Sequence, residues 1–247
     1  MADPLFPWRH GVGVLAHRGG AGPWRENTVE AFAGALVAGA DGVELDVRRT
    51  MDGALVVHHD AAVEGSGPIH DRRRDELPGW VPTLAEALAV CDGAAVNVEI
   101  KNVPTDAGFD QGSRVSADVA GLLGVGDVAR SGWPAWVVVS SFWPDTLGAL
   151  RAATERLGSA EVPALGLLVH PALDAGPALD TAVALGCAAL HPHHRQVDGD
   201  LVAKAHDLGL AVVTWTVNET EDLDAVVGAE VDAVITDRVG ETLAHLR

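Results

Sequence analysis

Short apolar runs alternate with amphipathic stretches along nearly the whole chain. Runs rich in Val, Leu, Ile and Ala cover Val12–Ala16, Gly42–Arg48, Ala95–Ile100, Trp136–Ser140, Ala164–Val169, Ala188–His191, Leu210–Thr216 and Asp232–Thr236. Most are continuous rather than alternating, as in parallel strands buried on both faces. Helical patterns fit between them. Asn27 or Thr28 can cap a helix to about Ala38, with Gly39 beyond its end. Thr83 opens a capping box with Glu86 and a helix to about Cys91. Pro144 and Asp145 start a helix that runs to Leu157 before Gly158, Leu201–Leu208 precedes Gly209, and Glu219–Val227 precedes Gly228. Repeated strand–helix units predict an α/β fold with a parallel sheet. Eight such units in 247 residues predict a TIM (β/α)8 barrel over the doubly wound alternative. No proline- or serine-rich linker divides the chain, so residues 1–247 are read as a single barrel domain.

One segment departs from the alternation. Gly42–Arg48 leads through Thr50-Met51-Asp52-Gly53 into Ala54–His59, and Asp-Gly is a hairpin turn signal. A short β-hairpin insertion after the second strand is therefore predicted. With Asp52-Gly53 as a two-residue turn, Asp46 faces His59; a one-residue shift changes the pairing but keeps the two ends close.

Composition changes this picture in three ways. Seventeen basic against 35 acidic residues leave a net charge of −18, which argues against nucleic acid or an anionic membrane surface as partner. An anionic substrate would then need a locally positive pocket. The two cysteines, Cys91 and Cys187, match no metal spacing and sit in Ala/Val-rich surroundings, which reads as buried free thiols. MADPLFPWRH lacks a basic segment followed by an apolar run, and no apolar stretch approaches a membrane span, so a cytoplasmic protein without stable membrane insertion is expected.

Polar residues interrupt the apolar runs at strand ends, where a barrel carries its chemistry. The first run ends in His17-Arg18-Gly19-Gly20. The second holds Glu44 and Asp46, the third ends in Glu99-Ile100-Lys101, and the seventh in Trp215-Thr216-Val217-Asn218. Glu44 and Asp46 share one strand face, as do Glu99 and Lys101. If those faces point into the barrel mouth, three carboxylates converge. Buried like charges need a positive partner, and all-oxygen ligands suit one divalent cation, Mg²⁺ or Ca²⁺. His17 and His59 are the acid–base candidates. Arg18 and Lys101 supply the local positive charge, Arg as a fork for phosphate oxygens and Lys as a point charge. The set reads as metal-assisted phosphoester cleavage.

The ordered motifs His17-Arg18-Gly19, Glu26-Asn27-Thr28, Glu44-Leu45-Asp46-Val47, Asp52-Gly53, His59-Asp60, Pro82-Thr83-Leu84, Glu99-Ile100-Lys101, Ser141-Phe142, Trp215-Thr216-Val217-Asn218 and Ile235-Thr236-Asp237 resemble the glycerophosphodiester phosphodiesterase family over residues 12–240. The resemblance implies a TIM barrel with metal ligands Glu44, Asp46 and Glu99, acid–base residues His17 and His59, and phosphate-binding Arg18 and Lys101. It implies Trp215 as an apolar wall for the glycerol. The implied reaction is hydrolysis of a small glycerophosphodiester to glycerol 3-phosphate and an alcohol. Its first step would be attack by the glycerol 2-hydroxyl, giving a cyclic phosphate. The segment AAVEGSGPIHDRRRDELPGW is short beside the insertion of relatives, which implies a more open mouth.

The remaining candidates are weaker. His191 stands where it could reach substrate, while His193 and His194 read as a solvated loop. His58 reads as structural, Arg72-Arg73-Arg74 as a solvated face, Asp60 as an orienter of His59 or a turn cap, Glu26 and Asn27 as organisers of the first loop, and Asp237 as a closer of the last loop through backbone hydrogen bonds. Trp24, Trp80, Trp133 and Trp143 could form a greasy rim. That would suit a lysophospholipase D-like or cyclising phospholipase activity on bulkier lipid diesters. A non-catalytic phosphoglycerol-binding barrel would have lost an acid–base residue, and neither His17 nor His59 is missing.

Overall fold

The structure is a computed structural model that describes residues 11–124, 134–158 and 163–247. Trp133, one of the rim candidates, and the first ten residues lie outside the described residues. In chain order the strands are β1 (Gly13–His17), β2 (Gly42–Arg49), β3 (Leu55–Val57), β4 (Ala62–Val63), β5 (Gly67–Pro68), β6 (Ala95–Ile100), β7 (Trp136–Ser141), β8 (Ala164–Val169), β9 (Ala189–Pro192), β10 (Ala211–Thr214) and β11 (Ala233–Thr236). The helices are α1 (Val29–Val37), α2 (Leu84–Val90), α3 (Arg114–Gly124), α4 (Pro144–Arg156), α5 (Ala175–Leu185), α6 (Gly199–Asp207), α7 (Thr220–Gly228) and α8 (Val239–Leu246).

Strands β1, β2 and β6 to β11 pair in parallel in that order, and β1 also pairs with β11. The sheet closes on itself as an eight-stranded parallel barrel with helices outside, the TIM barrel the alternation predicts. Side-chain alternation then divides each strand between two cores. Val43, Leu45 and Val47, with Val96, Val98 and Ile100, join helix residues such as Phe32, Leu84 and Leu88 in the outer layer. Leu15, Ala95, Ala189, Ala211, Val213, Ala233 and Ile235 pack together in the interior. The residues between outer-layer positions therefore point inward, Glu44, Asp46, Asn97 and Glu99 among them.

The predicted hairpin forms, with two differences. Its loop holds three residues rather than two: Thr50 pairs with Ala54, and Val47 lies opposite Val57. The register slips by one, so the backbone N–H of His58, not of His59, reaches the Asp46 carbonyl. Beyond β3 the chain adds a two-stranded antiparallel sheet, β4 with β5, which the hydrophobic pattern does not announce. Each strand has two residues, too short to show a period. The Arg72-Arg73-Arg74 run ties this insertion down. Arg72 donates to the Ser66 carbonyl and Arg74 to the Val81 carbonyl, while Arg73 lies exposed near Asp52 and Asp75.

Candidate active site

Inward-facing residues at the C-terminal strand ends assemble one cluster. Glu44, Asp46 and Glu99 offer oxygen atoms that all lie within 4.8 Å of one another, and all three residues are buried. They come together because Asp46 and Glu99 are register partners on β2 and β6, with Glu44 two residues below Asp46. His17, the register partner of Glu44 across β1, places its Nε2 4.0 Å from the Glu44 carboxylate.

Two cations face this acid cluster. The Lys101 ammonium is 2.7 Å from Glu99 and 3.1 Å from Asp46. The Arg18 guanidinium is 3.3 Å from Asp46 and 3.2 Å from Glu26. Backbone conformation supports the placement. Arg18 and Asn27 both adopt left-handed φ, at 52° and 57°, a strained state for a non-glycine residue that concentrates at functional sites. In return the Arg18 N–H donates to Glu44, and the Asn27 side chain both donates to the Asp46 carboxylate at 2.8 Å and accepts from its N–H. Asn27 thus does more than organise a loop: it positions one of the three acids.

The electrostatics follow from burial and these neighbours. Burial, then the charge of Asp46, pushes the Glu44 carboxyl up to about 8. Burial also raises Glu99, with Lys101 opposing it. Asp46 feels the same burial, but Lys101 and Arg18 outweigh it and hold the carboxyl below its ordinary range. The cluster is therefore short of positive charge. Its donor set of three buried carboxylates suits a hard dication. Asp46 already meets Lys101, Arg18 and Asn27, so Glu44 and Glu99 are the acids most in need of another counter-charge.

Each candidate acid–base histidine is held by an aspartate at Nδ1. His17 is 2.7 Å from Asp237, which also accepts from the Asn218 side chain at 2.7 Å. His59 is 2.8 Å from Asp60. Burial lowers the His17 imidazole, but the bond to Asp237 and the charge of Glu44 raise it above the ordinary value. His59 is lowered, by burial and then by Lys101. Asp237 is more than a loop closer: its N–H donates to Asn218, and its carboxylate holds His17. Asp60 takes the orienting option.

The other candidates separate. Trp215 sits at the mouth edge-on to Phe142 and His193, and its indole N–H donates to the His191 carbonyl. His191 is fully buried in the barrel wall, with no exposed surface for a substrate. His193 caps the turn at His194–Gln196, and His194 lies 3.4 Å from Asp222. The His58 ring packs against Trp80, and the Arg25 guanidinium stacks over that tryptophan at 3.9 Å. Trp24 is 51% exposed. Cys91 and Cys187 are free and buried, and no helix among the described residues is long and apolar enough to cross a membrane.

A closed (β/α)8 barrel with acids, imidazoles and cations gathered at the C-terminal ends of its strands has the architecture of a TIM-barrel enzyme. Residues 17–241 match the profile of the glycerophosphoryl diester phosphodiesterase family. A glycerophosphodiester phosphodiesterase of Caldanaerobacter subterraneus subsp. tengcongensis is 30% identical over 94% of this chain and 96% of its own. The glycerophosphodiester phosphodiesterase of Thermotoga maritima superposes with a TM-score of 0.75 at 25% identity, covering 96% of this chain and 99% of that one. A phosphodiesterase of Oleispira antarctica, solved in complex with the product sn-glycerol-3-phosphate, superposes with a TM-score of 0.77 at 25% identity over 94% of this chain and 96% of that one. The chain belongs to the glycerophosphoryl diester phosphodiesterase family and is an enzyme of that activity.

Proposed function

We propose that the enzyme hydrolyses a small glycerophosphodiester to glycerol 3-phosphate and an alcohol at this mouth, with one divalent cation, Mg²⁺ or Ca²⁺, held by Glu44, Asp46 and Glu99. The observation that carries the reading is the convergence of three buried carboxylates within 4.8 Å beside an aspartate-held imidazole. The product bound by the Oleispira relative supports the glycerol 3-phosphate half. When bound, the cation supplies charge for phosphate oxygens and for a hydroxyl brought beside them.

The chain's own residues supply the rest. Arg18 and Lys101 bind phosphate oxygens, and Trp215 walls the glycerol. Nδ1 of each histidine is engaged by its aspartate, so Nε2 is the atom left for substrate. One imidazole accepts the proton of the glycerol 2-hydroxyl as its oxygen bonds to phosphorus. The other gives a proton to the departing alkoxide as the phosphorus–oxygen bond breaks. Water then opens the cyclic phosphate with the two roles exchanged.

His17→Ala and His59→Ala test this directly. Each should cut turnover of glycerophosphocholine by about 10²-fold or more with an unchanged circular dichroism spectrum; wild-type rates in either would remove it from the proton path. Bulkier lipid diesters are the alternative substrate range, and exposed Trp24 does not support it, because its indole packs over Gly34 of the outer helix α1. Lysophosphatidylcholine assayed beside glycerophosphocholine separates the two.

A further inference from the structure

The barrel interior just behind the acid cluster is polar where barrels of this type are usually packed with branched apolar side chains. Asn97 is the register partner of Glu44, and Ser140 is the register partner of Glu99. Both point inward, because Ala95 of β6 and Trp136 of β7 pack in the interior and inward positions repeat every second residue. The next strand places Gly166 beside Ser140. That position has no side chain because a ring fills its space: a Cβ on Gly166 would lie 2.5 Å from His191 Nε2. His191 points inward from β9, two residues after interior Ala189.

These three polar side chains are 1% exposed or less. Among the described residues, Asn97 Oδ1, Ser140 Oγ and both ring nitrogens of His191 have no hydrogen-bond partner. All four lie on the inward faces of β6, β7 and β9. Buried polar groups are satisfied by protein or by ordered water, and a site with several of them selects water. Burial pushes the His191 imidazole down to about 3. It is neutral at physiological pH and presents one donor and one acceptor nitrogen, as a hydrogen-bonded solvent chain requires.

We propose that Asn97, Ser140 and His191 enclose an ordered water cluster behind Glu44 and Glu99, and that this cluster holds those two carboxylates in place for the cation. The first half stands on the orphaned atoms alone. The second rests on the reading of the three acids as a cation site.

A high-resolution crystal structure of the wild-type protein decides the first half. Water within hydrogen-bonding distance of at least two of the four atoms is expected; a dry interior there overturns the proposal. The second half is tested with His191→Phe, Ser140→Ala and the double variant, by thermal melting and by calorimetric titration with Mg²⁺ alone and Ca²⁺ alone. Each single change should lower the melting temperature and weaken cation binding about 10-fold or more. The double variant should be little worse than the more damaging single change, because both act through one solvent cluster. A His191→Phe protein that melts higher and binds cations as wild type does would mean that the imidazole was dry and unconnected. If that variant does not fold, Ser140→Ala, which removes a single oxygen, decides the same question: wild-type melting and cation binding in it would overturn the second half. If the wild-type protein binds neither cation, the acid-cluster reading falls, and the crystal structure still decides the water cluster.

Discussion

Asp237 fixes which nitrogen of His17 faces the mouth. Its carboxylate takes Nδ1 at 2.7 Å, and Asn218 anchors it from the other side. Asp237→Asn keeps the shape but removes the charge that favours the imidazolium. The His17 titration followed by NMR should move to lower pH. Turnover should fall about 10- to 100-fold, the scale seen when carboxylates that orient histidines are removed. An unmoved His17 titration would deny Asp237 this role. The contact also marks where reading from sequence stops. Glu44, Asp46, Glu99 and Lys101 are legible because strand periodicity alone puts them on shared faces. His17 and His59 are legible as polar breaks at the ends of apolar runs. The partnerships of Asp237 and Asn27 are not, because neither has a local signature. His17 and Asp237 are 220 residues apart and meet only because β1 closes on β11. Asn27 reaches Asp46 through a left-handed backbone that nothing in Glu26-Asn27-Thr28 announces. His191 ends the sixth apolar run, a place that suggests the mouth, and its side chain is buried and points with Ala189 into the barrel interior.

Element boundaries are readable where the termination chemistry is local. The capping box at Thr83 is present in full, with Glu86 and Thr83 exchanging hydrogen bonds at the start of α2. Thr83→Ala should cost about 1 kcal/mol, read as a fall in melting temperature of about 2–4 °C for a chain of this size. All eight barrel strands are legible to within about two residues. Helices α3, α5 and α8 are harder to read. Ser113 precedes α3 in a left-handed conformation rather than the extended one of a usual cap, and α8 starts after Arg238 with no side-chain cap. For α5 the signals exist, Asp174 as cap and Gly186 left-handed at its end, but Pro177 inside the first turn obscures the helical pattern. The hairpin register slips because loop length, not the Asp-Gly pair alone, sets pairing. Strand contact imposes a sharper demand at Gly42. A Cβ there would lie 2.3 Å from the Ala95 carbonyl oxygen, a backbone atom fixed in the β2–β6 ladder. Gly42→Ala should destabilise by about 1–3 kcal/mol or more, and a melting temperature equal to wild type would show that the ladder can yield.

The barrel as a whole joins the two ends of the described chain. β1 lies between β2 and β11, and Arg247 reaches Asp41 across 206 residues. We read the chain as one cooperative domain, so calorimetry should give a single unfolding transition. Against a net charge of −18, Arg18 and Lys101 stand together at the barrel mouth, yet three acids share that space. The consequence for stability can be worked out from Glu44. An unfolded glutamate titrates near ~4.3, whereas the native carboxyl stands at about 8. Between these values the native state keeps a proton that the unfolded chain has released. In the presence of EDTA the Glu44 contribution to stability is therefore complete below the lower value, is lost as pH rises, and levels off above the upper one. Glu44→Gln has no such proton, so the difference in melting temperature between wild type and variant should tilt against wild type from about pH 5 to pH 8. Cation binding requires the ionised carboxylate, so Mg²⁺ or Ca²⁺ affinity of the wild type should climb over the same interval and be weak in Glu44→Gln at every pH. Saturating cation at about 100 times its dissociation constant adds roughly 2.7 kcal/mol, a rise of about 5–10 °C that the variant should not show. Parallel pH profiles for the two proteins in EDTA would mean that Glu44 is not held protonated by its neighbours, and a cation at this mouth would have no electrostatic basis.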